Sequence, residues 1–227
     1  MILTDSMTSE LFHRQQSYRI LMDKGSSISG LSSFFRAANN LNFPITKSID
    51  SAIVFMLCQD YHHPGLSSMT YVNHPFRVAS LLLTEFGIRD ELTICLALLH
   101  NILELVSSPD IIPTLEIKFP QLVDDLRTLK VNRSLQHDIQ YMNSYYNKIS
   151  LSKRASLVKI ADKFDNIFMI SFNKNKDRRK SYIEEFKCHV GSLTYTHLPS
   201  KSPVVDLIST IVASMGYLDR ETFFHQI

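Results

Sequence analysis

Residues 92–104 of the chain have the sequence LTICLALLHNILE. Asp90 stands just before this stretch, where its carboxylate can cap a helix. The segment from Leu92 to the histidine is apolar nearly all round, which is typical of a helix at the centre of a bundle. His100 and Glu104 are one turn apart on this pattern and share a face, whereas Asn101 lies about 100° further round the helix axis.

Two other segments place polar residues inside apolar helical patterns. Residues 71–75 have the sequence YVNHP, and residues 158–166 have the sequence VKIADKFDN. An unpaired polar group in such surroundings costs on the order of a few kcal/mol, so a shared partner for His74, His100, Asn101 and Asp162 is the economical explanation. A divalent metal would supply that partner, and these ligands suit manganese, iron or zinc. Taken singly, either histidine could equally be a hydrogen-bonded core residue.

The composition predicts an all-α protein, because the chain has 6 Gly, 8 Pro and few alternating β-branched runs. Loops are expected at residues 25–33 and 62–71. We expect a core domain at residues 45–227 after an N-terminal helical extension at residues 1–44. Three helices are predicted from their first residues: one is capped by Thr46 or Ser48, one begins at His74-Pro75, and the central one follows Asp90. The other predicted helices comprise residues 7–24, 34–41, 121–130, 136–148, 153–171, 178–192 and 203–215.

The bulk properties exclude several classes of protein. The net charge of +2 gives no reason to expect an electrostatic nucleic-acid binder. No apolar run approaches the roughly 20 residues that cross a bilayer, so no membrane partner is expected. The three cysteines are widely spaced and indicate reduced thiols. The first residues lack a signal-peptide pattern, so we expect a cytoplasmic protein.

The three segments together resemble one known family. The patterns Tyr-x-x-His-Pro, Ala-Leu-Leu-His-x-x-x-Glu and Lys-x-Ala-Asp-Lys-x-x-Asn occur in this order. They are similar to the hydrolase domain of RelA/SpoT-type alarmone enzymes and to the stand-alone small alarmone hydrolases, which are HD-domain metal-dependent phosphohydrolases. The match extends over roughly residues 45–190, and three ordered motifs are specific evidence.

The resemblance implies a fold, a cofactor and a reaction. The fold would be an HD-domain helical bundle with a central site for one Mn²⁺-like ion. The reaction would be removal of the 3′-pyrophosphate from guanosine tetra- or pentaphosphate, the alarmones of the stringent response, by a metal-activated water. A homodimer is the expected assembly. The implied metal ligands are His74, His100, Asn101 and Asp162.

The resemblance also implies roles for the side chains around the metal. Glu104 would orient or deprotonate the attacking water, and Asn101 would share the catalytic position next to the metal. Asn166 would contact the sugar or a phosphate of the nucleotide. Lys159 and Lys163 are expected as further phosphate partners.

Three positions depart from the family pattern. Asn101 stands where the family has Asp, and it brings an amide oxygen but no negative charge. Leu105 stands where alarmone hydrolases have a second acidic residue after Glu104. Residues 64–70 have the sequence PGLSSMT and lack the Arg and Gly-Glu-Pro pattern with which the family holds guanine.

These departures leave two alternatives open. The first is a catalytically silent protein that senses or sequesters a nucleotide, because the two substitutions remove acidic groups from the reaction centre. The second is an HD phosphohydrolase that acts on another nucleotide or a sugar phosphate, because the loop that selects guanine is altered.

Overall fold

A computed structural model describes residues 27–64, 66–169 and 176–199, together with residues 202, 204–206, 208 and 209. The helix expected at residues 7–24 lies outside the described residues, as does most of the helix expected at 203–215. Every regular element in the described ranges is helical, which confirms the all-α prediction. In these ranges, no helix combines the length and apolar character that crossing a membrane requires.

The chain divides between Ala161 and Asp162 into two compact units. The predicted boundary between an extension at 1–44 and a core at 45–227 stays a prediction. The elements of the larger unit are α1 (Ser27–Asn40), α2 (Lys47–Leu57), α3 (Ser68–Tyr71), α4 (Asn73–Thr84), α5 (Glu91–Leu99), α6 (Ile102–Leu105), α7 (Ile111–Lys118), α8 (Val123–Leu129), α9 (Ile139–Ser150), the first half of α10 (Lys153–Met169), and 3₁₀ turns at Pro120–Leu122 and Arg133–Leu135.

The ends of the helices follow local signals in the sequence. Thr46 and Asp90 cap α2 and α5 with their side chains, as predicted. Pro75 lies in the first turn of α4, where its missing N–H leaves no hydrogen bond unmade. Gly87, between α4 and α5, has φ of +65°, a conformation that favours glycine.

The central helix α5 is buried along its length but is shorter than predicted. All side chains from Thr93 to Leu99 are buried. The prediction of one continuous helix through Glu104 is wrong, because α5 ends at Leu99 and α6 begins at Ile102. Asn101 lies between them with φ of −102° and ψ of 8°, a sparsely populated conformation that interrupts the helix.

Helix α1 begins earlier than the sequence suggested. The loop expected at 25–33 is wrong from Ser27 onward, because α1 starts there. Gly30, Phe34 and Ala38 recur every fourth residue and are buried, and the Phe34 ring centre lies 6.1 Å from that of Phe76 in α4. Packing on α4 therefore overrides the weak helix propensity of a Gly- and Ser-rich sequence. The sequence also did not predict the short helices α3 and α7.

The second unit contains the rest of α10 and a long helical segment. The segment comprises α11 (Lys176–Glu185), a π-helical turn (Phe186–Val190) and α12 (Gly191–His197). The helix expected at 178–192 is therefore present and extends to His197. Ile183, Phe186 and Val190 are buried along this segment.

Candidate metal centre

Three predicted ligands converge although they are distant in sequence. His74 lies in the first turn of α4, His100 is the C-cap residue that follows α5, and Asp162 lies in α10. Each offers one ligand atom, and these atoms all lie within 4.8 Å of one another. All three side chains are buried. Helix α10 runs without a break through Ala161 and Asp162.

A backbone carbonyl selects the tautomer of His100. The His100 Nδ1 atom lies 2.7 Å from the Ala97 carbonyl oxygen, which can only accept a hydrogen bond. Nδ1 therefore carries the proton, and Nε2 of the neutral ring presents its lone pair. Metal-binding histidines generally have this arrangement, because a second partner fixes the ring and its tautomer.

The facing atoms of the two histidines fit a shared cation. Nε2 of His74 lies 3.2 Å from Nε2 of His100, and the rings are inclined at 65°. Two ring nitrogens this close are stabilised by a proton or cation between them, and the carboxylate of Asp162 adds a negative charge. A donor set of two imidazoles and one carboxylate can hold a divalent metal ion.

Asn101 is oriented by a tyrosine. Its Nδ2 donates to the Tyr71 hydroxyl at 2.9 Å, and Tyr71 is buried in the core. Because the amide nitrogen is used in this bond, the amide oxygen is the atom that Asn101 could offer to a metal.

Glu104 lies apart from the group of three ligands and is held by an arginine. Its Oε1 accepts a hydrogen bond from Nε of Arg133 at 2.6 Å. The side chain of Glu104 is only 11% exposed, whereas that of Arg133 is 41% exposed. Arg133 was not predicted as a site residue, because it is separated from Glu104 by 29 residues and belongs to none of the three motifs. The position at which alarmone hydrolases have a second acidic residue is occupied by Leu105, which is buried.

Asn166 contacts the predicted metal ligand Asp162. Its Nδ2 donates to Oδ1 of Asp162 at 2.8 Å, across one turn of α10. This bond orients the carboxylate, as partners of metal ligands commonly do.

The two lysines of the third motif are buried in different surroundings. Nζ of Lys159 lies 5.5 Å from the ring centre of Tyr145. Nζ of Lys163 lies 2.7 Å from Oε2 of Glu185 and 4.9 Å from the ring centre of Tyr182. Lys163 is thus held in a buried ion pair with α11.

Aromatic side chains that the sequence analysis did not identify pack around Tyr71. The Tyr61 and His63 ring centres lie 4.8 and 5.3 Å from that of Tyr71, which itself lies 5.9 Å from the His74 ring. Burial raises the pKa of Tyr61, so its hydroxyl stays protonated near neutral pH. The sequence feature that could have predicted this cluster is the density of aromatic residues between positions 61 and 74.

Comparison with known proteins places the chain in a family. No protein-family model matches it. The guanosine-3′,5′-bis(diphosphate) 3′-pyrophosphohydrolase MESH1 of Drosophila melanogaster is 30% identical over 132 residues, which are 56% of this chain and 73% of the fly protein. The chain belongs to the MESH1 family.

The fold of this MESH1 family member agrees with a solved structure. A metazoan ortholog of SpoT that hydrolyses ppGpp matches it with a TM-score of 0.60 at 23% identity. The match covers 75% of this chain and 97% of that one. The HD-type fold predicted from the three motifs is therefore confirmed.

Proposed function

We propose that this protein hydrolyses the 3′-pyrophosphate of guanosine tetra- or pentaphosphate with the help of one Mn²⁺-like ion. The observation that carries the proposal is the convergence of His74, His100 and Asp162 in a member of the MESH1 family. The Drosophila relative is named for this reaction. A divalent ion at these ligands would lower the pKa of a water molecule and offset phosphate charge.

The chain's own residues supply the remaining steps. His74, His100 and Asp162 would hold the ion, and Asn101 would add its amide oxygen. Glu104 accepts a proton from the attacking water, while Arg133 keeps its carboxylate in one orientation. The products are pyrophosphate and a nucleotide with a free 3′-hydroxyl.

Substrate contacts are proposed for residues of α10. Asn166 would contact the sugar or a phosphate through its amide oxygen, since its nitrogen is bound to Asp162. Lys159 and Lys163 remain the proposed phosphate partners. Lys163 would reach a phosphate only by leaving Glu185.

Pyrophosphate release from guanosine tetraphosphate tests the function directly. With Mn²⁺ present, we expect pyrophosphate and guanosine diphosphate to form in equal amounts. Adenosine triphosphate serves as the control substrate, because it carries phosphates but no 3′-pyrophosphate. Absence of turnover with every divalent metal would refute the proposal.

A silent nucleotide-binding protein is the second candidate. Asn101 and Leu105 reduce the acidic character of the centre, and Glu104 is engaged by Arg133. Calorimetry with guanosine tetraphosphate separates the two functions, because tight binding without product formation would favour the sensor. Turnover of another nucleotide or of a sugar phosphate, with none of guanosine tetraphosphate, would favour an HD phosphohydrolase with a different substrate.

The Asn101→Asp substitution is expected to strengthen Mn²⁺ binding by about tenfold or more. At an effective dielectric constant of ~20, two unit charges ~4 Å apart gain about 4 kcal/mol before desolvation is counted. Calorimetric titration with Mn²⁺ measures the change, and Asn143→Asp on the exposed surface of α9 is the matched control. An unchanged affinity would show that residue 101 is not a ligand.

The Asn166→Ala substitution is expected to weaken Mn²⁺ binding by roughly tenfold, because losing a partner of a metal ligand typically has that effect. Titration with Mn²⁺ gives the affinity, and the KM for guanosine tetraphosphate is measured at saturating metal. A raised KM with unchanged metal affinity would restrict Asn166 to substrate contact.

The assembly and location stay predictions. We propose a cytoplasmic homodimer, in line with the resemblance described above. Light scattering of the purified protein would give its mass in solution.

A further inference from the structure

We propose that helix α1 positions the metal centre, through a contact between Gly30 and Asn73 that fixes His74. This inference rests on the proposed metal site and assigns a role to an element outside the three motifs. Gly30 and Asn73 are positioning residues, since neither belongs to the set of ligands.

A hydrogen-bonded bridge joins α1 to the start of α4. The Gly30 N–H donates to Oδ1 of Asn73 at 2.8 Å, and the Ser29 hydroxyl lies 3.4 Å from the same oxygen. The Nδ2 of Asn73 donates to the Thr70 carbonyl at 3.3 Å. Both ends of the buried amide are thus used, and the residue is held between α1 and α3.

The bridge requires glycine at position 30. A Cβ atom there would lie 2.5 Å from Oδ1 and 3.0 Å from Cα of Asn73. Real Cβ atoms essentially never come within 3.0 Å of another heavy atom, and the Asn73 side chain that carries Oδ1 is buried and hydrogen-bonded to Thr70. The Asn73 side chain, α1 or the first turn of α4 would therefore have to move. Phe34 on Phe76, one turn further along α1, opposes a movement of α1 away from α4.

The displacement would reach a ligand directly. Asn73 and His74 are consecutive residues in the first turn of α4, so a shift of the Asn73 backbone carries His74 with it. Nε2 of His74 is 3.2 Å from its counterpart in His100, and functional sites tolerate displacements of only about 0.5 Å. Helix α1, which precedes all three motifs in the sequence, therefore sets the geometry of the site.

The experiment compares Gly30→Ala, Asn73→Ala and the double variant, with Gly191→Ala as the matched control. A Cβ atom at Gly191 meets nothing within 4 Å, so the same chemical change there creates no collision. Each protein is titrated with Mn²⁺ by calorimetry well below its melting temperature. In parallel, the ring resonances of His74 are recorded by NMR in the metal-free proteins.

We expect Gly30→Ala and Asn73→Ala each to weaken Mn²⁺ binding by about tenfold, as loss of an outer contact of a ligand does. The double variant should be no weaker than Asn73→Ala, because the one contact shorter than 3.0 Å is with Oδ1, which Asn73→Ala removes. Gly191→Ala should bind as the unaltered protein does. The His74 resonances should shift in Gly30→Ala and not in Gly191→Ala.

Three results would overturn the inference: unchanged affinity in Asn73→Ala, additive losses in the double variant, or unshifted His74 resonances in Gly30→Ala. If Gly30→Ala does not fold, Asn73→Ala still decides, since it adds no atom. If the unaltered protein binds no Mn²⁺, the proposed metal function fails. In that case, the His74 ring resonances of metal-free Gly30→Ala still test the positioning role, separately from metal binding.

Discussion

The Asp162→Asn protein is expected to bind no Mn²⁺ at this centre and to lose hydrolysis of guanosine tetraphosphate by a factor on the order of 10³ or more. Asp162 supplies the carboxylate in the group of three ligands. A bound metal contributes several kcal/mol to the stabilisation of the transition state, and each 1.36 kcal/mol corresponds to a factor of about ten in rate. The substitution keeps the size of the side chain, so a loss of function is not explained by a cavity.

Calorimetry and pyrophosphate release measure the two effects on the same preparation. Asp124→Asn is the matched control, because Asp124 lies in α8, its side chain is 99% exposed, and it is not one of the predicted ligands. The thermal melting curve of Asp162→Asn reports whether it folds. A folded variant that still turns over substrate would remove Asp162 from the proposed metal site.

The Glu104→Gln protein is expected to keep its affinity for Mn²⁺ and to lose kcat by roughly 10²- to 10⁴-fold, the usual contribution of a general base. Glu104 lies outside the group of three ligands, so the metal should stay bound. Glutamine preserves the shape of the side chain but cannot take up the proton. The separation of metal affinity from kcat distinguishes this substitution from Asp162→Asn.

The chain offers a closely matched control in Glu116→Gln. Glu116 accepts a hydrogen bond from Arg127 at 2.6 Å, the same distance as in the pair of Glu104 with Arg133, but on the surface. Breaking that pair should leave kcat unchanged and alter stability by less than about 1 kcal/mol. Equal losses of kcat in both variants would mean that a disrupted ion pair, and not a missing base, accounts for the effect.

The convergence of His74, His100 and Asp162 could be predicted because each lies in an apolar helical pattern that leaves a polar group to be satisfied. The resemblance implied these three residues together with Asn101. The caps at Thr46 and Asp90 were also predictable, since each is decided within a few residues of the helix start.

Features that depend on contacts across the chain could not be predicted. The break at Asn101 has no proline or glycine to mark it, and its amide is bound to Tyr71, 30 residues away. Likewise, the ion pair of Glu104 with Arg133 joins residues that no periodicity connects. Helix α1 was assigned to a loop because glycine and serine have weak helix propensity, whereas its packing on α4 decides the outcome.

The most direct measurement is the turnover of guanosine tetraphosphate by metal-free protein during stepwise addition of Mn²⁺. We predict that turnover rises from background and reaches a plateau at one ion per chain, and that Asp162→Asn stays at background throughout. Turnover that persists in the presence of a chelator, or that never rises at any metal concentration, would contradict it.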